Sequence, residues 1–361
     1  MKYQSSPEFK MLNPNMTLSD FKSIYYMEWT HRLWGRFVGL SFILPALYFI
    51  ARGRVSRPMA FRIAGIGGLI GFQGMLGWWM VESGLKDDLF APGSHPRVSQ
   101  YRLVAHLGTA FLCYSAMLWN GMSILREHKL LGNLQAADTI LCRLRNPRLR
   151  FFQRSIGALA GLVFLTAMSG GLVAGLDAGL IYNEFPKMGS GWIPPRSELF
   201  SDFYSHTASN SDIWWRNALE NPSLVQLDHR ILATTTFTAI VALFAYSRFS
   251  PKAKKLIPRA SKKDMHGVLG FACLQVALGI STLIYLVPLP LASAHQAGSL
   301  ALLSWVLILG NRTWLPNRRL SGILARRFAA AKMTTAATAM HSPALRLKSN
   351  ALKANPTPQL L

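Results

Sequence analysis

The side chains in this sequence best suited to metal chemistry are the imidazoles of His31, His106, His229 and His295, which come in two copies of one device. Glu28-Trp29-Thr30-His31-Arg32 is echoed about two hundred residues later by Asp228-His229-Arg230. Each copy is followed by Gln-x-x-Leu-Gly, as Gln73 to Gly77 and as Gln275 to Gly279, and then by a further apolar run carrying His106 or His295. Counted to the first basic residue at the far end of its own run, His31 lies 21 positions from Arg52, His106 20 from Arg126, His229 19 from Arg248 and His295 17 from Arg312. At about 1.5 Å rise per residue these are roughly 25–32 Å, so the four rings sit at similar depth. Two helices presenting imidazole nitrogen from opposite sides of a flat ring is the requirement of bis-imidazole haem ligation. Gly35 and Gly39 follow His31 at the four-residue step, and Ala233 follows His229. Small residues there admit a macrocycle, although ordinary small-residue helix packing explains them too. Tetrahedral zinc would ask for cysteine or a tighter cluster. His95, His128, His206, His266 and His341 do not share the depth of the four.

The two copies differ at one telling position. Glu28 stands three residues before His31, and Gln226 three residues before His229. An i, i+3 pair shares a helix face, so the first ring has a carboxylate beside it and the second a neutral amide. A carboxylate can stabilise positive charge or take up a proton during oxidation of a substrate. The first half is therefore expected to hold a reacting ring, with Glu28 as the catalytic group, and the second a permanent electron-passing haem. The plainer reading is a Glu28–Arg32 ion pair holding the helix entry. Arg32 and Arg230 each follow a ligand histidine, and Arg36 and Arg102 lie within a turn of the other sites. Guanidinium forks suit haem propionates, and interfacial snorkelling is the alternative for Arg36 and Arg102.

These residues have to be held by membrane helices. Half of the 361 residues are hydrophobic and only 15% are charged, too few to solvate a soluble protein of this size. Runs long enough to span, roughly 20 residues each, fall at about 31–51, 60–81, 101–125, 153–176, 229–247, 265–287 and 292–310. The expectation is an all-α polytopic membrane protein of two pseudo-repeated helix bundles. A segment 1–30 lies on the outer face, with a capping-box start at Thr17-Leu18-Ser19-Asp20. An N-terminal bundle follows over 31–126, a basic inner loop over 127–152, and a C-terminal bundle over 153–310 that includes an outer loop at 177–228. The basic stretch 311–361 reads as a mobile inner tail. Links after the first, third, fifth and seventh runs are rich in Lys and Arg, and the alternate links hold Glu82, Asp87, Asp88, Asp177, Glu184, Glu198, Asp202, Asp212 and Glu220. By the positive-inside rule the histidines lie toward the outer face. The formal charge of +23 sits in these short links rather than in a patch interleaved with aromatics, which argues against nucleic acid. Cys113, Cys142 and Cys273 offer no zinc spacing or covalent haem attachment motif, and the opening residues carry no targeting leader. A repeat-built transporter would break helices at mid-membrane in both halves, whereas Pro45 has no partner in the second.

Several segments resemble haem A synthase, in particular its mitochondrial and alphaproteobacterial branch. They are Asn13-Pro14-Asn15-Met16-Thr17-Leu18, Met27-Glu28-Trp29 leading into His31-Arg32-Leu33-Trp34-Gly35-Arg36, Gly170 to Gly179, Tyr182-Asn183-Glu184-Phe185-Pro186, Gln226-Leu227-Asp228-His229-Arg230 and His295-Gln296-Ala297-Gly298. The resemblance implies an oxidoreductase that converts the ring methyl of haem O to the formyl of haem A for cytochrome c oxidase. It implies that His31 and His106 ligate the substrate haem O, that Glu28 assists its oxidation, and that His229 and His295 hold the iron of a haem B cofactor. Implied partners are the bilayer, a ferredoxin-type electron donor, the farnesyltransferase that makes haem O and the oxidase assembly machinery, with room for a homo-oligomer. The implied location is the mitochondrial inner membrane with the histidines near the intermembrane-space face, or a bacterial plasma membrane. Family members have eight spanning helices, four per half. A further helix is thus expected ahead of the first run, carrying the counterparts of Gly170-Gly171 and Asp177-Ala178-Gly179, and a chain without it would leave the substrate half short of a wall. Some bacterial relatives also carry an outer-loop cysteine pair, which has no counterpart here. The competing reading is a di-haem b-type cytochrome that only relays electrons.

Overall fold

A computed structural model of the chain describes residues 14–84 and 98–340, together with Gln4, Phe9 and Lys10. Asn13, Asp87, Asp88, His95, His341 and the tail beyond it lie outside the described residues. Among those described, the chain is helical without strands. The long helices are α1 (Leu18–Ala51), α2 (Arg57–Gly84) and α3 (Gln100–Gly132). After a shorter α4 (Leu134–Leu144) comes α5 (Arg150–Gly175). The segment between α5 and α8 (Pro222–Phe249) holds α6 (Arg196–Leu199) and α7 (Ile213–Glu220); beyond α8 come α9 (Pro251–Lys254), α10 (Arg259–Ile284), α11 (Leu289–Thr313) and α12 (Arg318–Met340).

Each of the seven expected runs falls on a long helix, two of them overshooting it: 153–176 by one residue and 265–287 by three. By length and apolar composition, six helices among the described residues can cross a membrane, and α3 is the one left out. Its run is diluted by Gln100, Arg102, His106, Thr109 and Asn120. It packs against α2, α5 and α11, so neighbours rather than lipid receive much of its surface. Thr17 caps α1 as its spacing implies. Its side chain accepts from the Asp20 amide, and the Asp20 carboxylate accepts from the Thr17 amide at 3.2 Å.

In the second half, α5, α8, α10 and α11 close into a ring, each packing on the next and α11 returning to α5. In the first half α1 packs along α2 and α2 along α3, and α3 then joins the second bundle. Close approach makes that seam: a Cβ on Gly108 would come 2.9 Å from Met168 Sδ, and one on Gly175 2.7 Å from Gln100 Cβ. Lipid tails are as apolar as leucine, so such contact, rather than flight from water, holds the helices together. The buried core is formed by Phe152, Ile156, Leu159 and Val163 of α5, Ile240 and Leu243 of α8, Met265, Val268 and Ala272 of α10, and Leu302 to Leu309 of α11. Every one of these lies on the basic-loop side of the histidines in its bundle. The core is thus a floor, and the histidine level lies above it.

That floor is tied off at the end of α11, whose last carbonyls lack partners within the helix. Arg126 of α3 donates to the carbonyls of Asn311 and Trp314, and Gln153 of α5 donates to that of Thr313 at 2.8 Å. The Trp314 indole donates to the Gln153 carbonyl at 3.0 Å and stacks beside Trp119. Arg312 reaches across to the buried carboxylate of Asp264 on α10 at 2.5 Å.

Two stretches read from sequence as an inner loop and a mobile tail contain helices. The basic loop 127–152 contains α4, capped by the Asn133 side chain on the Ala136 amide. Of the tail 311–361, residues Arg318–Met340 form α12. The physical reason is mutual burial: Leu320 and Leu324 of α12 insert against Leu130, Ala137 and Leu141.

Candidate functional site

The link between α5 and α8 is an ordered cap over the start of α8. Asn217, fully buried, accepts from the Ser201 amide and donates to the Ser201 carbonyl. Asn221 donates to the Glu198 carbonyl at 2.7 Å, and the Tyr182 hydroxyl and Ser223 both donate to the Glu198 carboxylate. Burial and this anionic partner push the Tyr182 phenol up to about 12. Asp212 accepts from the Ser205 and Thr207 hydroxyls and the His206 amide, which together hold its carboxyl below the usual range.

Beneath this cap, His229 of α8 faces His295 of α11. The ring centroids are 6.5 Å apart and the planes nearly perpendicular. With metal–imidazole bonds of about 2.0–2.1 Å and roughly 1.1 Å more from nitrogen to ring centre, two imidazoles on opposite sides of one metal ion sit about 6–6.5 Å apart. The separation matches. The tautomer follows from hydrogen bonding: the single hydroxyl hydrogen of Ser169 goes to the Thr166 carbonyl at 2.8 Å, so Ser169 Oγ accepts from His229 Nδ1 at 2.8 Å. Nε2 of His229 is left with a free lone pair, the form that ligates metal.

In the first half, His106 and His31 are within electrostatic range of one another. The Gln73 amide of α2 donates to His106 Nε2 at 3.2 Å and to the His106 carbonyl at 3.0 Å, which marks Nε2 as unprotonated there as well. Three of the four rings lean directly on a glycine. A Cβ on Gly77 would come 3.0 Å from His106 Cε1, one on Gly170 3.1 Å from His229 Cε1, and one on Gly279 3.1 Å from His295 Cε1. Gly77 and Gly279 are the closing residues of the repeated Gln-x-x-Leu-Gly. The motif was visible as a repeat, and its role is now plain: it leaves space for the ring on the following helix. Ser169 and Gly170 were legible only as part of a glycine-rich helix end.

Glu28 pairs with Arg32 one turn on, and both are about half exposed along an α1 whose sole buried residue is Gly39. Its counterpart Gln226 is 1% exposed and donates to the Tyr182 carbonyl at 2.8 Å. The contrast in chemistry is thus also a contrast in setting. Arg230 spends its terminal nitrogens on the cap, donating to the carbonyls of Tyr182, Glu184, Pro186 and Lys187 at 2.9–3.4 Å. Arg102 lies over the Trp79 ring at 4.7 Å, and Arg36 is exposed. His206 lies in the cap, 4.0 Å from Glu220, and His266 lies at the basic end, where its Nδ1 donates to the Lys262 carbonyl. Of the buried polar side-chain atoms without a protein partner among the described residues, Gln73 Oε1, His106 Nδ1, Gln226 Oε1, Arg230 Nε, Gln275 Nε2 and His295 Nδ1 lie near the histidine level, and Arg126 Nη2, Ser261 Oγ, Asp264 Oδ2 and Asn311 Oδ1 lie toward the basic end. Among the described residues no three His, Cys, Asp or Glu side chains cluster as a metal site. Histidines in pairs suit a metal that brings its remaining ligands with it.

Comparison with known proteins agrees with this geometry. Residues 1–307 match the model of the family described as COX15-CtaA, cytochrome oxidase assembly protein. The chain is 46% identical over 336 residues to the Saccharomyces cerevisiae protein named Heme A synthase COX15, covering 93% of this chain and 68% of that one. It is 50% identical over 313 residues to the Mus musculus protein of the same name, covering 86% and 68%. It is 46% identical over 314 residues to a Schizosaccharomyces pombe protein named Heme A synthase-mitochondrial ferredoxin fusion protein, covering 86% of this chain and half of that one. A family model matched over residues 1–307, with relatives 46–50% identical over most of the chain, places the chain in the COX15-CtaA family of cytochrome oxidase assembly proteins.

Proposed function

We propose that the chain is a haem A synthase, a multi-pass membrane enzyme that converts the ring methyl of haem O to the formyl of haem A for cytochrome oxidase assembly. The observation that carries this reading is the His229–His295 pair, whose 6.5 Å separation suits one metal ion between the rings. The purely electron-relaying alternative is not favoured, since the relatives are named as synthases.

In this reading His229 and His295 hold a haem B, with Ser169 fixing the His229 tautomer and Gly170 and Gly279 leaving room for the rings. When bound, that haem supplies a one-electron relay. His31 and His106 hold the substrate haem, and Gln73, whose amide occupies the His106 Nε2 lone pair in this structure, gives that atom up when the haem binds. Glu28 is the catalytic group, taking up a proton or stabilising positive charge beside the substrate, and Arg32 pairs with its carboxylate from one turn on. The terminal nitrogens of Arg230, all donating to cap carbonyls, favour a role in anchoring the cap over propionate binding. The cap limits water at the second site. The name of the fission yeast fusion supports a ferredoxin-type donor. The farnesyltransferase that makes haem O and the oxidase assembly machinery are the expected neighbours. The mitochondrial inner membrane, with the histidines toward the intermembrane space, is the expected setting.

The test is to extract pigments from cells lacking the gene and rescued with variants. His229→Ala and His295→Ala are expected to abolish co-purifying haem B, and His31→Ala with His106→Ala to abolish binding of added haem O. Formyl-bearing haem in cells that lack the gene would overturn the assignment.

A further inference from the structure

From Arg248 near the end of α8 to Lys263 in the second turn of α10 the chain carries seven lysines and arginines and no acid. The pseudo-equivalent stretch from Arg52 to Arg57 has three. The linker between α8 and α10 contains an extra turn, α9 (Pro251–Lys254), which supplies Lys252 and Lys254 and is pinned by full burial of Ala253 and near-full burial of Ile257. Pinning those two apolar residues turns Lys254 and Lys255 outward. The nearest acid offers no relief, because Asp264 is committed to Arg312 of α11.

Around this linker the side chains of Phe244, Ser247, Arg248, Lys254, Lys262 and His266 converge on a shallow recess of about 20 Å³, room for one oxygen-sized atom, that opens to the surface. Phe244 forms the floor, with the His266 ring edge-on to it at 5.1 Å. Ser247 is turned to the Phe244 carbonyl and His266 Nδ1 to the Lys262 carbonyl, which fixes two of the walls. Positive-inside topology asks only that cations lie on one side of the membrane. It does not ask them to surround an aromatic floor between two spanning helices.

We propose that this recess binds the phosphate headgroup of an anionic membrane lipid, with Arg248, Lys254 and Lys262 on the phosphate and Phe244 against the glycerol and upper acyl chain. Basic pockets between spanning helices at the cytoplasmic or matrix boundary suit lipids with clustered phosphates, such as diphosphatidylglycerol. This site is separate from the histidine pairs and does not depend on what they bind.

The experiment is native mass spectrometry of the full chain in mild detergent, titrated with diphosphatidylglycerol, phosphatidylcholine or inorganic phosphate. The expected result is retention of diphosphatidylglycerol alone, weakened roughly 30-fold by Lys254→Gln with Lys262→Gln and roughly 5-fold by Lys254→Gln alone. Arg143→Gln with Arg145→Gln, an equal loss of charge on α4, is expected to change retention less than 2-fold, within the about 1 kcal/mol per charge that applies only near the bound lipid. Equal weakening by both pairs would overturn the proposal in favour of general surface attraction. Displacement of the lipid by millimolar inorganic phosphate would overturn it in favour of a free anion. Unchanged helical melting by circular dichroism separates loss of the site from loss of the fold.

Discussion

Replacing Gly279 by alanine tests whether helix contact positions the ligand ring. Alanine in a helix interior is worth about 1 kcal/mol over glycine, and Gly270, nine residues earlier on α10, has nothing within 4 Å of its would-be Cβ. Gly270→Ala should therefore stabilise the protein by about that amount. At Gly279 the same gain meets a Cβ placed 3.1 Å from His295 Cε1, against the 3.4 Å where ordinary contact begins, so the ring must retreat by 0.3 Å or more. Overpacking of this kind costs about 1–3 kcal/mol, which cancels or exceeds the propensity gain. A metal–nitrogen bond tolerates about 0.2 Å, so the retreat also strains ligation. The assay is the haem-to-protein ratio and absorption spectrum of each purified variant, with thermal melting alongside. Gly279→Ala should lose haem or shift its spectrum while Gly270→Ala changes neither. If the two variants bind haem alike and gain equal stability, the contact does not set the ring's position and the reading of Gln-x-x-Leu-Gly is wrong.

Three further outcomes follow from the site. Glu28→Ala should leave haem content within experimental error and abolish formyl product, measured by pigment extraction; continued product would remove Glu28 from the chemistry. Arg230→Gln should cost about 2–3 kcal/mol of local stability, the scale of hydrogen bonds from a charged donor, and expose the 182–187 stretch to protease; unchanged cleavage would show the clamp to be dispensable. Folding depresses the Asp212 carboxyl, so its contribution to the cap is complete above the ordinary value of about 3.9 and disappears as pH falls through its lower folded value. Protection of the His206 amide from hydrogen exchange, relative to the free-peptide rate at the same pH, should fall on acidification because that amide donates to Asp212, and Asp212→Asn should erase that dependence.

Hydropathy and spacing made the long helices and the histidine pairs legible, because a span is a local property and each half repeats the other. The four rings were singled out by the repeated motifs and by their matched depth. What escaped the sequence depends on partners remote in the chain. Arg230 looked like a propionate ligand because its neighbour is a histidine, yet its partners are backbone carbonyls more than forty residues away, which no side-chain pattern records. The cap rests on Asn217 and Asn221, whose amides satisfy loop backbone without any periodicity. Helix α12 was hidden because an Ala- and Thr-rich stretch follows its two anchoring leucines, and only docking on α4 gives those leucines a purpose.

Helix α3 is a party wall. It bears His106 on behalf of the first chamber, and it also abuts α5 and reaches over with Arg126 to finish the far end of α11, the helix that bears His295. Neither duplicate can therefore be retuned in private: a substitution that tilts α3 to suit one tenant is felt on the other side. Whatever ancestral symmetry the two halves shared, they now have to change in step along this one boundary.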